Sequence, residues 1–382
     1  MDKCHKRDKK CQQIRIDHIT MNLGILDGSG QYICIASINR YSNGRRMKYL
    51  ITGGAGYIGS TICSALEDAG HTPVILDSLV TGREEFTRGR IFYQGDIADE
   101  KLVTQLFKDH PDIQATVHCA ALIVVPESVS HPYEYYQDNV SKSIQFFRYL
   151  SMLGYKRVVF SSSAALYDLV PGFMVTEEAP LNANSPYSRT KLMMEMVLRD
   201  YCAAYKMKGI ALRYFNPIGA DPKMRSGIHV QHPTHVLGKL VDTAQGRQPE
   251  FLITGTHYPT RDGTGIRDYI HVWDLARAHV NAVTDFDKVF ERATNPRENY
   301  LVINLGTGHG VTVRELVTAF EKVYGQTINK RESGPRPGDV AGSYTNADKA
   351  YRLLHWKAEL SIEQGIADAL KWGEIREQIL KF

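Results

Sequence analysis

Two short stretches of the chain carry side chains that together could remove a proton from an alcohol. Tyr187 and Lys191 stand four residues apart, so on a helix they share one face. A tyrosine with an ordinary pKa near ~10 is a poor base at neutral pH, and lowering that pKa by about three units takes roughly 4 kcal/mol. A positive charge about 4 Å away supplies about that much at an effective dielectric near ~20. Lys191 could therefore make Tyr187 a general base.

Ser163 closes the run Ser161-Ser-Ser163, and its hydroxyl could hydrogen-bond the same substrate oxygen as Tyr187. A Tyr-x3-Lys pair alone is common by chance, and a helix with a surface tyrosine and lysine is the alternative. The joint occurrence of this pair with the serines and a glycine loop favours a catalytic group.

The glycine loop is Gly53-Gly-Ala-Gly56-Tyr57-Ile58-Gly59. It directly follows a β-rich run and opens a helical pattern, which is the setting in which such glycines are informative. Glycines allow a tight turn and let a pyrophosphate approach the backbone, while the first amides of the helix donate to it. The pattern predicts a dinucleotide site, and a loop with glycines only for turning is the alternative.

Asp77 ends the next β-rich run, where a carboxylate can bind the adenosine ribose hydroxyls and repel a 2′-phosphate. The sequence therefore favours NAD over NADP, and the cationic nicotinamide ring would add a second positive charge beside Tyr187. Asp96 and Ile97 follow the third run, where they could meet the adenine ring. Alternatively, Asp96 could cap the next helix, which would explain an aspartate at this position nearly as well.

Short β-rich runs alternate with longer helical ones from Met47 onward, which predicts a doubly wound α/β domain with a parallel sheet. After Phe215 the chain becomes rich in Gly, Pro and His. Two helices, one further strand and three late helices are predicted there, as a second, smaller domain over the carboxyl edge of the sheet. The predicted strands before Phe215 are 49–52, 72–77, 91–94, 115–119, 157–161 and 210–214, and the helices lie near 58–69, 101–109, 133–150 and 187–205.

The composition excludes several classes of protein. The 382 residues include 46 Lys plus Arg and 42 Asp plus Glu, but residues 1–46 hold nine of the basic and four of the acidic side chains. The remainder is nearly balanced, so it lacks the basic surface that nucleic acid binding requires. No apolar run approaches the ~18 residues of a membrane span. The six cysteines form no Cys-x2-Cys pair, which fits a reducing cytoplasm.

Residues 1–46 show no sustained periodicity and no secretory signal pattern. We interpret them as an N-terminal extension that is disordered or reflects a start codon placed too early, because ordered sequence begins at Met47. A targeting or regulatory arm is the alternative, and the positive charge is its support.

Two longer motifs extend this interpretation: Arg213-Tyr-Phe-Asn-Pro217, and Tyr258-Pro-Thr-x-Asp-Gly-Thr-Gly-x-Arg-Asp-Tyr-Ile-His271. With the motifs above, the chain from Met47 to its end resembles the UDP-glucose 4-epimerase family of extended short-chain dehydrogenase/reductases. The resemblance implies an NAD-binding domain over 47–215, completed by about 268–308, and a UDP-sugar-binding domain over 216–267 and 309–382. It implies cofactor contacts at Ala120 and Phe215, and substrate contacts at Asn216, Arg267, Arg336, Asp339 and Ser343.

The activity implied by the resemblance is interconversion of UDP-glucose and UDP-galactose through a transient 4-keto sugar and NADH. It also implies a homodimer formed through helices of the nucleotide domain. Two residues depart from the family pattern. Ile123 replaces a lysine that reaches the cofactor ribose, and Ser343 replaces a bulky residue, which leaves room for a 2-acetamido group and thus for UDP-N-acetylglucosamine.

Three alternatives compete with these assignments. Structural salt bridges could explain the two arginines, although guanidinium groups suit a diphosphate. A sugar-nucleotide 4,6-dehydratase would need an acid/base pair after Ser163, where Ala164 and Ala165 stand. A non-catalytic NAD-sensing protein would not need the Ser/Tyr/Lys group. No metal is predicted, because Pro233 interrupts the histidines at 229, 232 and 235.

Overall fold

The computed structural model describes residues 46–295, 297–335 and 340–382, and before them the backbone of three strands. These strands, β1 (Ile14–Ile16), β2 (Ile19–Leu26) and β3 (Tyr32–Ile35), pair antiparallel within a separate unit, residues 1–46. The interpretation of residues 1–46 as a disordered extension or start-site artefact falls mostly outside the described residues and stays a prediction.

Residues 47–382 form the second unit. Its strands are β4 (Lys48–Thr52), β5 (Thr72–Asp77), β6 (Ile91–Gln94), β7 (Ile113–His118), β8 (Arg157–Ser163), β9 (Met174–Val175), β10 (Lys208–Tyr214), β11 (Asn216–Ile218), β12 (Phe251–Thr254), β13 (Ile266–Arg267), β14 (Tyr269–His271), β15 (Tyr300–Leu305), β16 (Val311–Thr312), β17 (Lys330–Ser333) and β18 (Gly342–Thr345). Its α-helices are α1 (Tyr57–Asp68), α2 (Glu100–Asp109), α3 (Val125–Ser130), α4 (Pro132–Tyr136), α5 (Lys142–Leu153), α6 (Pro186–Tyr205), α7 (Val236–Ala244), α8 (Val272–Thr284), α9 (Phe286–Glu291), α10 (Val313–Tyr324), α11 (Asp348–Leu354) and α12 (Ile362–Leu380).

A seven-stranded parallel sheet forms the centre of this unit, in the order β15-β10-β8-β7-β4-β5-β6. From β4 the chain builds outward through β5 and β6, then returns to add β7 and its successors on the other side. The order reverses between β4 and β7, which is where open α/β sheets bind ligands outside their carboxyl ends. The predicted doubly wound fold is confirmed.

Helices cover both faces of this sheet, because consecutive residues of a strand point to opposite faces. Ile51 of β4 belongs to a buried cluster that includes Ile62 of α1 and Leu275 of α8. Its neighbour Leu50 belongs to a second cluster, which includes Phe146 of α5 and Leu198 of α6. Burial on both faces explains the continuous apolar character of these strands.

A smaller core lies among the segments after β10, where α7, α10 and α12 pack around Leu240, Phe320 and Ile366. Three small sheets accompany it: β11-β14, β12-β17 and β16-β13-β18-β9. These segments are consistent with the predicted second, smaller domain. Its exact division at 216–267 and 309–382 stays a prediction. Within 268–308, α8 and β15 pack with the central sheet. Among the described residues, no helix has both the length and the apolarity to cross a bilayer.

The helix predicted over 133–150 is interrupted in the structure. α4 ends at Tyr136, a π-helical turn occupies Gln137–Ser141, and α5 follows. A π-turn inserts one extra residue and often marks a functional site. Here it coincides with Asn139, whose side chain is buried.

Candidate active site

The glycine loop connects β4 to α1, and the protein itself requires two of its glycines. Gly53 has a φ of +70°, and a Cβ there would lie 2.7 Å from the backbone nitrogen of Ala120. A Cβ on Gly59 would lie 2.2 Å from the carbonyl oxygen of Gly53. These two positions close the turn between strand and helix, so their glycines are explained without a ligand.

Gly56 has a different explanation. It caps the N-terminus of α1 with no side-chain hydrogen bond, and a Cβ there would come no closer than 3.4 Å to described atoms, at the oxygen of Gly53. The first amides of α1 therefore face an open approach, which suits a phosphate. The Tyr57 hydroxyl donates to the carbonyl of Gly219 at 2.7 Å, and Ile58 packs against the core. Any cofactor contact by these two residues would use their backbone.

Asp77 is the last residue of β5 and is 8% exposed. Its carboxylate accepts hydrogen bonds from the backbone N–H of Ala55 at 2.9 Å and of Leu79 at 2.8 Å. Burial raises the pKa of this carboxyl, and the two backbone donors oppose that rise. The carboxylate is therefore held beside the glycine loop, where the ribose of a dinucleotide was predicted.

Asp96 does not cap the next helix, so that alternative is wrong. Asp99 is the N-cap of α2, and its side chain accepts from the backbone N–H of Leu102. The carboxylate of Asp96 instead accepts from the backbone N–H of Ala98 at 2.9 Å and pairs with Lys142 at 2.7 Å. Ile97, by contrast, is buried in the core. The contact of Asp96 and Ile97 with adenine stays a prediction.

The structure brings Ser163, Tyr187 and Lys191 together at the carboxyl edge of the sheet. Ser163 is the last residue of β8, two residues further than the strand was predicted to run. Tyr187 lies in the first turn of α6, and Lys191 lies one turn later with its Nζ 6.0 Å from the Tyr187 ring centroid. All three are buried, with exposures of 8%, 8% and 3%.

The start of α6 places this pair. Ser185 and Ser188 form a capping box, and Pro186 occupies the first helical turn. Such a cap and an N-terminal proline both favour a helix that begins at this point. Tyr187 is therefore fixed in the first turn, opposite the end of β8.

Hydrogen bonds orient the three side chains. The Ser163 Oγ accepts from the backbone N–H of Ala165 at 3.1 Å, which leaves its own proton for Tyr187. The Lys191 ammonium donates to the backbone oxygen of Ser161 at 2.8 Å. This partner is neutral, so the positive charge of Lys191 is not cancelled by the contact.

In the chain alone the pKa of Tyr187 is not lowered, and its lowering by Lys191 together with a cofactor charge stays a prediction. Burial raises the pKa of the Tyr187 phenol, and the hydrogen bond from Ser163 opposes that rise. Burial also lowers the pKa of Lys191 to about 8, against the charges of Cys119 and Glu195, which raise it. The Lys191 ammonium is directed at the carbonyl of Ser161, while its Nζ lies 6.0 Å from the centroid of the Tyr187 ring.

Phe215 follows β10 directly and is 8% exposed. Its ring stacks with that of Tyr167, with centroids 6.4 Å apart and planes 17° apart. Asn216 begins β11 and donates its backbone N–H to Asp268. Ile123, which replaces the expected lysine, is 60% exposed. Phe215 thus lies at the end of the strand that pairs with Ser163, as its predicted role requires.

Arg267 and Ser343 are register partners on the parallel strands β13 and β18. The Nη1 of Arg267 donates to the carbonyls of Ile266 and Ala341, and its Nη2 donates to that of Val340. Among the bonds to described residues, these use three of the five N–H donors of a guanidinium, and none is made by the Nε–H or the second Nη2–H. The predicted contacts at Arg336 and Asp339 lie outside the described residues.

Two groups near the site were missed by sequence reasoning. The Asn139 side chain bonds both backbone groups of Leu122 and the hydroxyl of Thr190. Its inward orientation depends on the π-turn, which no local pattern indicates. Glu195 lies two turns after Tyr187 and one after Lys191, and this i+4 spacing was the available signal. In the described ranges, no three His, Cys, Asp or Glu side chains are grouped to hold a metal.

Comparison with known proteins assigns this arrangement to a class. The chain matches the NAD dependent epimerase/dehydratase family over residues 49–296, more than half of its length. It therefore belongs to that family. A UDP-glucose 4-epimerase of Bacillus subtilis (strain 168) is 39% identical over 336 residues, which cover 85% of this chain and 96% of the relative.

Solved structures narrow the comparison to one group within the family. UDP-glucose-4-epimerase from Stenotrophomonas maltophila, with bound NAD and formylated UDP-arabinopyranose, has a TM-score of 0.80 and 39% identity, and the match covers 87% of this chain and 99% of that chain. The enzyme from Bifidobacterium longum, in complex with NAD+ and UDP, has a TM-score of 0.78 and 34% identity, covering 86% and 98%. The resemblance to the UDP-glucose 4-epimerases, which are isomerases, is confirmed.

Proposed function

We propose that the protein interconverts UDP-glucose and UDP-galactose by transient oxidation at C4 of the hexose, with NAD as its bound cofactor. One observation carries the proposal: Ser163, Tyr187 and Lys191 converge in a buried cluster at the carboxyl edge of the sheet. The similarity to UDP-glucose 4-epimerases over most of the chain supports the choice of substrate.

The residues fit NAD. Gly56 leaves the amides of α1 open to a pyrophosphate, and Asp77 presents a carboxylate to the ribose. Phe215 and Ala120 would border the rest of the dinucleotide. When bound, NAD would supply reversible hydride transfer at C4 of the sugar.

Tyr187 would take the proton from the 4-hydroxyl of the hexose and return it after the sugar has turned. With a hexose bound, Ser163 would donate to the same oxygen instead of to Tyr187, because the N–H of Ala165 fixes its acceptor side. Lys191 would stabilise the phenolate by its charge, and burial strengthens that interaction. The cofactor charge has to supply the rest of the lowering of the Tyr187 pKa, since the chain alone raises that pKa.

The nucleotide would be held more firmly than the hexose. We propose that Arg267 and Arg336 bind the diphosphate, that Asn216 and Asp339 contact the rest of the UDP moiety, and that Ser343 borders the sugar. Arg267 is braced by three backbone carbonyls, so it can present its remaining donors with little loss of side-chain freedom. A firm hold on UDP leaves the keto sugar free to turn.

An assay of the purified protein tests the function directly. UDP-galactose is supplied without added NAD, and UDP-glucose is followed by chromatography. Formation of UDP-glucose is expected, because each turnover regenerates the cofactor. A 4-keto-6-deoxy product would instead support a dehydratase, and no product despite bound NAD would support a sensor.

Tyr187→Phe tests the catalytic assignment. This variant lacks the proton acceptor but keeps the ring, so turnover should fall by at least about 10³-fold. Binding of UDP, measured by calorimetry, should stay within about threefold of wild type. An active variant would overturn the assignment of the base.

We also propose a homodimer formed through α5 and α6. Four apolar side chains on these two helices are exposed, between 37% and 62%: Ile144, Met152, Met193 and Met196. The helices contact each other through Tyr201, whose hydroxyl donates to the carbonyl of Ile144. An apolar surface of this kind is typical of an interaction site.

Light scattering after size exclusion tests the dimer. Met196→Glu would place a charge in the interface and should convert the dimer to a monomer. Met174→Glu is the matched control, since Met174 is 49% exposed on β9, away from these helices. A monomeric wild-type protein would contradict the proposal.

A cytoplasmic location is also proposed. Cys63, Cys119 and Cys202 are free thiols among the described residues, which suits a reducing compartment. Fractionation of the source cells, with the epimerase activity assayed in each fraction, tests this. Activity confined to a membrane or secreted fraction would contradict it.

A further inference from the structure

Glu195 and Arg213 form a buried ion pair behind the catalytic residues. The Nε of Arg213 donates to Oε1 of Glu195 at 2.8 Å, and its Nη2 donates to Oε2 at 2.6 Å. The two side chains are 2% and 4% exposed. This two-point contact fixes both distance and orientation.

The pair connects three elements that carry the site. Glu195 lies on α6, on the same helical face as Tyr187 and Lys191. Its Oε1 also accepts from the hydroxyl of Ser162 at 2.5 Å, and Ser162 directly precedes Ser163 on β8. A single carboxylate thus joins the catalytic helix to the strand that ends in the catalytic serine.

Arg213 extends the same connection to the aromatic residues. It lies on β10, two residues before Phe215. Its Nη1 donates to the hydroxyl of Tyr167 at 3.1 Å, and the Tyr167 ring stacks with Phe215. Tyr167 in turn donates to Asn304 of β15 at 2.6 Å.

Stability alone does not explain such a pair. Apolar residues of similar volume often replace a buried ion pair with no loss of stability, whereas removal of one partner is strongly destabilising. What the pair provides, and apolar residues would not, is a fixed axial position of α6 relative to β8 and β10.

We propose that Glu195 is a positioning residue, which sets the placement of Tyr187 and Lys191 relative to Ser163 and Phe215 and compensates the buried charge of Lys191. The inference rests on the proposed roles of those residues in epimerisation. Glu195 acts through the catalytic groups, since its carboxylate is fully engaged by Ser162 and Arg213.

The charge compensation has a geometric basis, because Glu195 follows Lys191 by one helical turn. The carboxylate opposes burial in setting the pKa of Lys191, which is about 8. The titratable groups around Lys191 lie on three elements and one loop. They are His118 at the end of β7, Cys119 directly after it, Tyr187 and Glu195 on α6, and Arg213 and Tyr214 on β10.

Glu195→Gln tests the proposal with the full chain and its bound cofactor. The amide keeps the shape and removes the charge, while the charge of Arg213 stays. The kcat for UDP-galactose should fall roughly 10- to 100-fold with KM changed less than about threefold, because misplacement affects the reacting groups more than the nucleotide. Loss of the negative charge at residue 195 and the remaining positive charge of Arg213 both lower the pKa of Lys191. The alkaline limb of the pH–kcat profile should therefore move to lower pH.

Asp242→Asn is the matched control. Asp242 is also a buried carboxylate, paired with Arg376 at 2.9 Å and with Arg247 at 2.8 Å, but it lies on α7, a helix that packs in the smaller core. This variant should lose stability with kcat and the pH profile unchanged. A purely structural role of Glu195 would give the same result for Glu195→Gln, and that result would overturn the proposal.

Ser162→Ala keeps the test decisive if Glu195→Gln does not fold. It removes one of the three hydrogen bonds to Glu195 and leaves the ion pair intact. A fall in kcat of about three- to tenfold at unchanged KM would support the positioning role, and wild-type kcat would overturn it. Tyr187→Phe separates failure of the proposed function from failure of the positioning role. If that variant is inactive while the Glu195 and Ser162 variants behave as wild type, the proposed function stands and the positioning role fails.

Discussion

Ser343 shows how one small side chain on a strand can set the space beside a substrate. It pairs in register with Arg267, and its neighbour Gly342 has a φ of +103°. A Cβ on Gly342 would lie 1.8 Å from the Arg267 Nη1, so this segment approaches the arginine closely because it has no side chain there. Ser343 is therefore held beside a proposed diphosphate ligand.

Ser343→Tyr should restrict the substrate range. A ring at this position would fill the space for a 2-acetamido group, so turnover of UDP-N-acetylglucosamine should fall about tenfold or more relative to UDP-galactose. The measurement is kcat/KM for both substrates. Ser343→Ala serves as control and should leave the ratio unchanged, and a tyrosine variant with an unchanged ratio would contradict the prediction.

Side-chain identity and spacing predicted the convergence of Ser163, Tyr187 and Lys191, because i+4 spacing and the carboxyl end of a strand constrain geometry strongly. The same reasoning assigned Asp96 as a possible cap, since Asp96 and Asp99 are equivalent by type and differ only in where α2 begins. It also did not anticipate that burial raises the pKa of Tyr187 in the chain alone. Burial and the direction of an ammonium group depend on tertiary packing, which spacing does not report.

At the scale of elements, the glycines in the turn from β4 to α1 look equivalent in the sequence but have two different roles in the structure. Gly59 is required by the close approach to Gly53, whereas Gly56 is required only by what binds at the helix start. Substitutions at the two positions should therefore have different consequences.

Gly59→Ala should destabilise the fold by about 1–3 kcal/mol or more, because its Cβ cannot be accommodated without moving the turn. Gly56→Ala should cost about 1 kcal/mol or less in stability but weaken NAD binding about tenfold or more. Thermal unfolding with and without added NAD measures both effects. Equal destabilisation by both substitutions, with unchanged NAD affinity, would contradict this distinction.

The longer elements were predictable, because burial on both faces or on one helical side leaves a clear periodicity. Six strands of the central sheet, and helices such as α1 and α6, begin and end within two residues of their predicted limits. Two-residue strands such as β13 and β16 have no periodicity and were missed. The break between α4 and α5 was also missed, because a π-turn shifts the helical phase without any glycine or proline at that point.

At the scale of the whole molecule, three buried histidines connect stability to pH. His118, His229 and His279 are 1%, 8% and 0% exposed. Burial lowers their pKa values to about 3, 4 and 4. Unfolding exposes them to water, where a histidine pKa is about 6.5. Between pH ~6.5 and ~4 the unfolded chain therefore binds more protons, and stability falls as the pH falls.

Each of these histidines should contribute a slope of about 1.4 kcal/mol per pH unit once the pH is well below 6.5. Urea unfolding at pH 7, 6 and 5 measures the sum. His118→Gln removes one titrating group, while its amide can still bond Thr52 or Ser143, so the slope should become shallower. An unchanged slope would contradict the assignment. Buried carboxyls with raised pKa values oppose the effect at lower pH: Asp77, Asp268 and Asp274.

The strand order has a consequence for biosynthesis. β10 is bordered on its outer side by β15, which the ribosome delivers only after some ninety further residues, and α12 arrives later still. A nascent chain that has completed β10 therefore carries an unpaired edge strand while the intervening segments are being translated. Its final helix then anchors to earlier segments through Asp368, which bonds His271, and Trp372, which bonds the carbonyl of Ile228. The smaller core, which includes α12, can therefore be completed only after that helix has been synthesised.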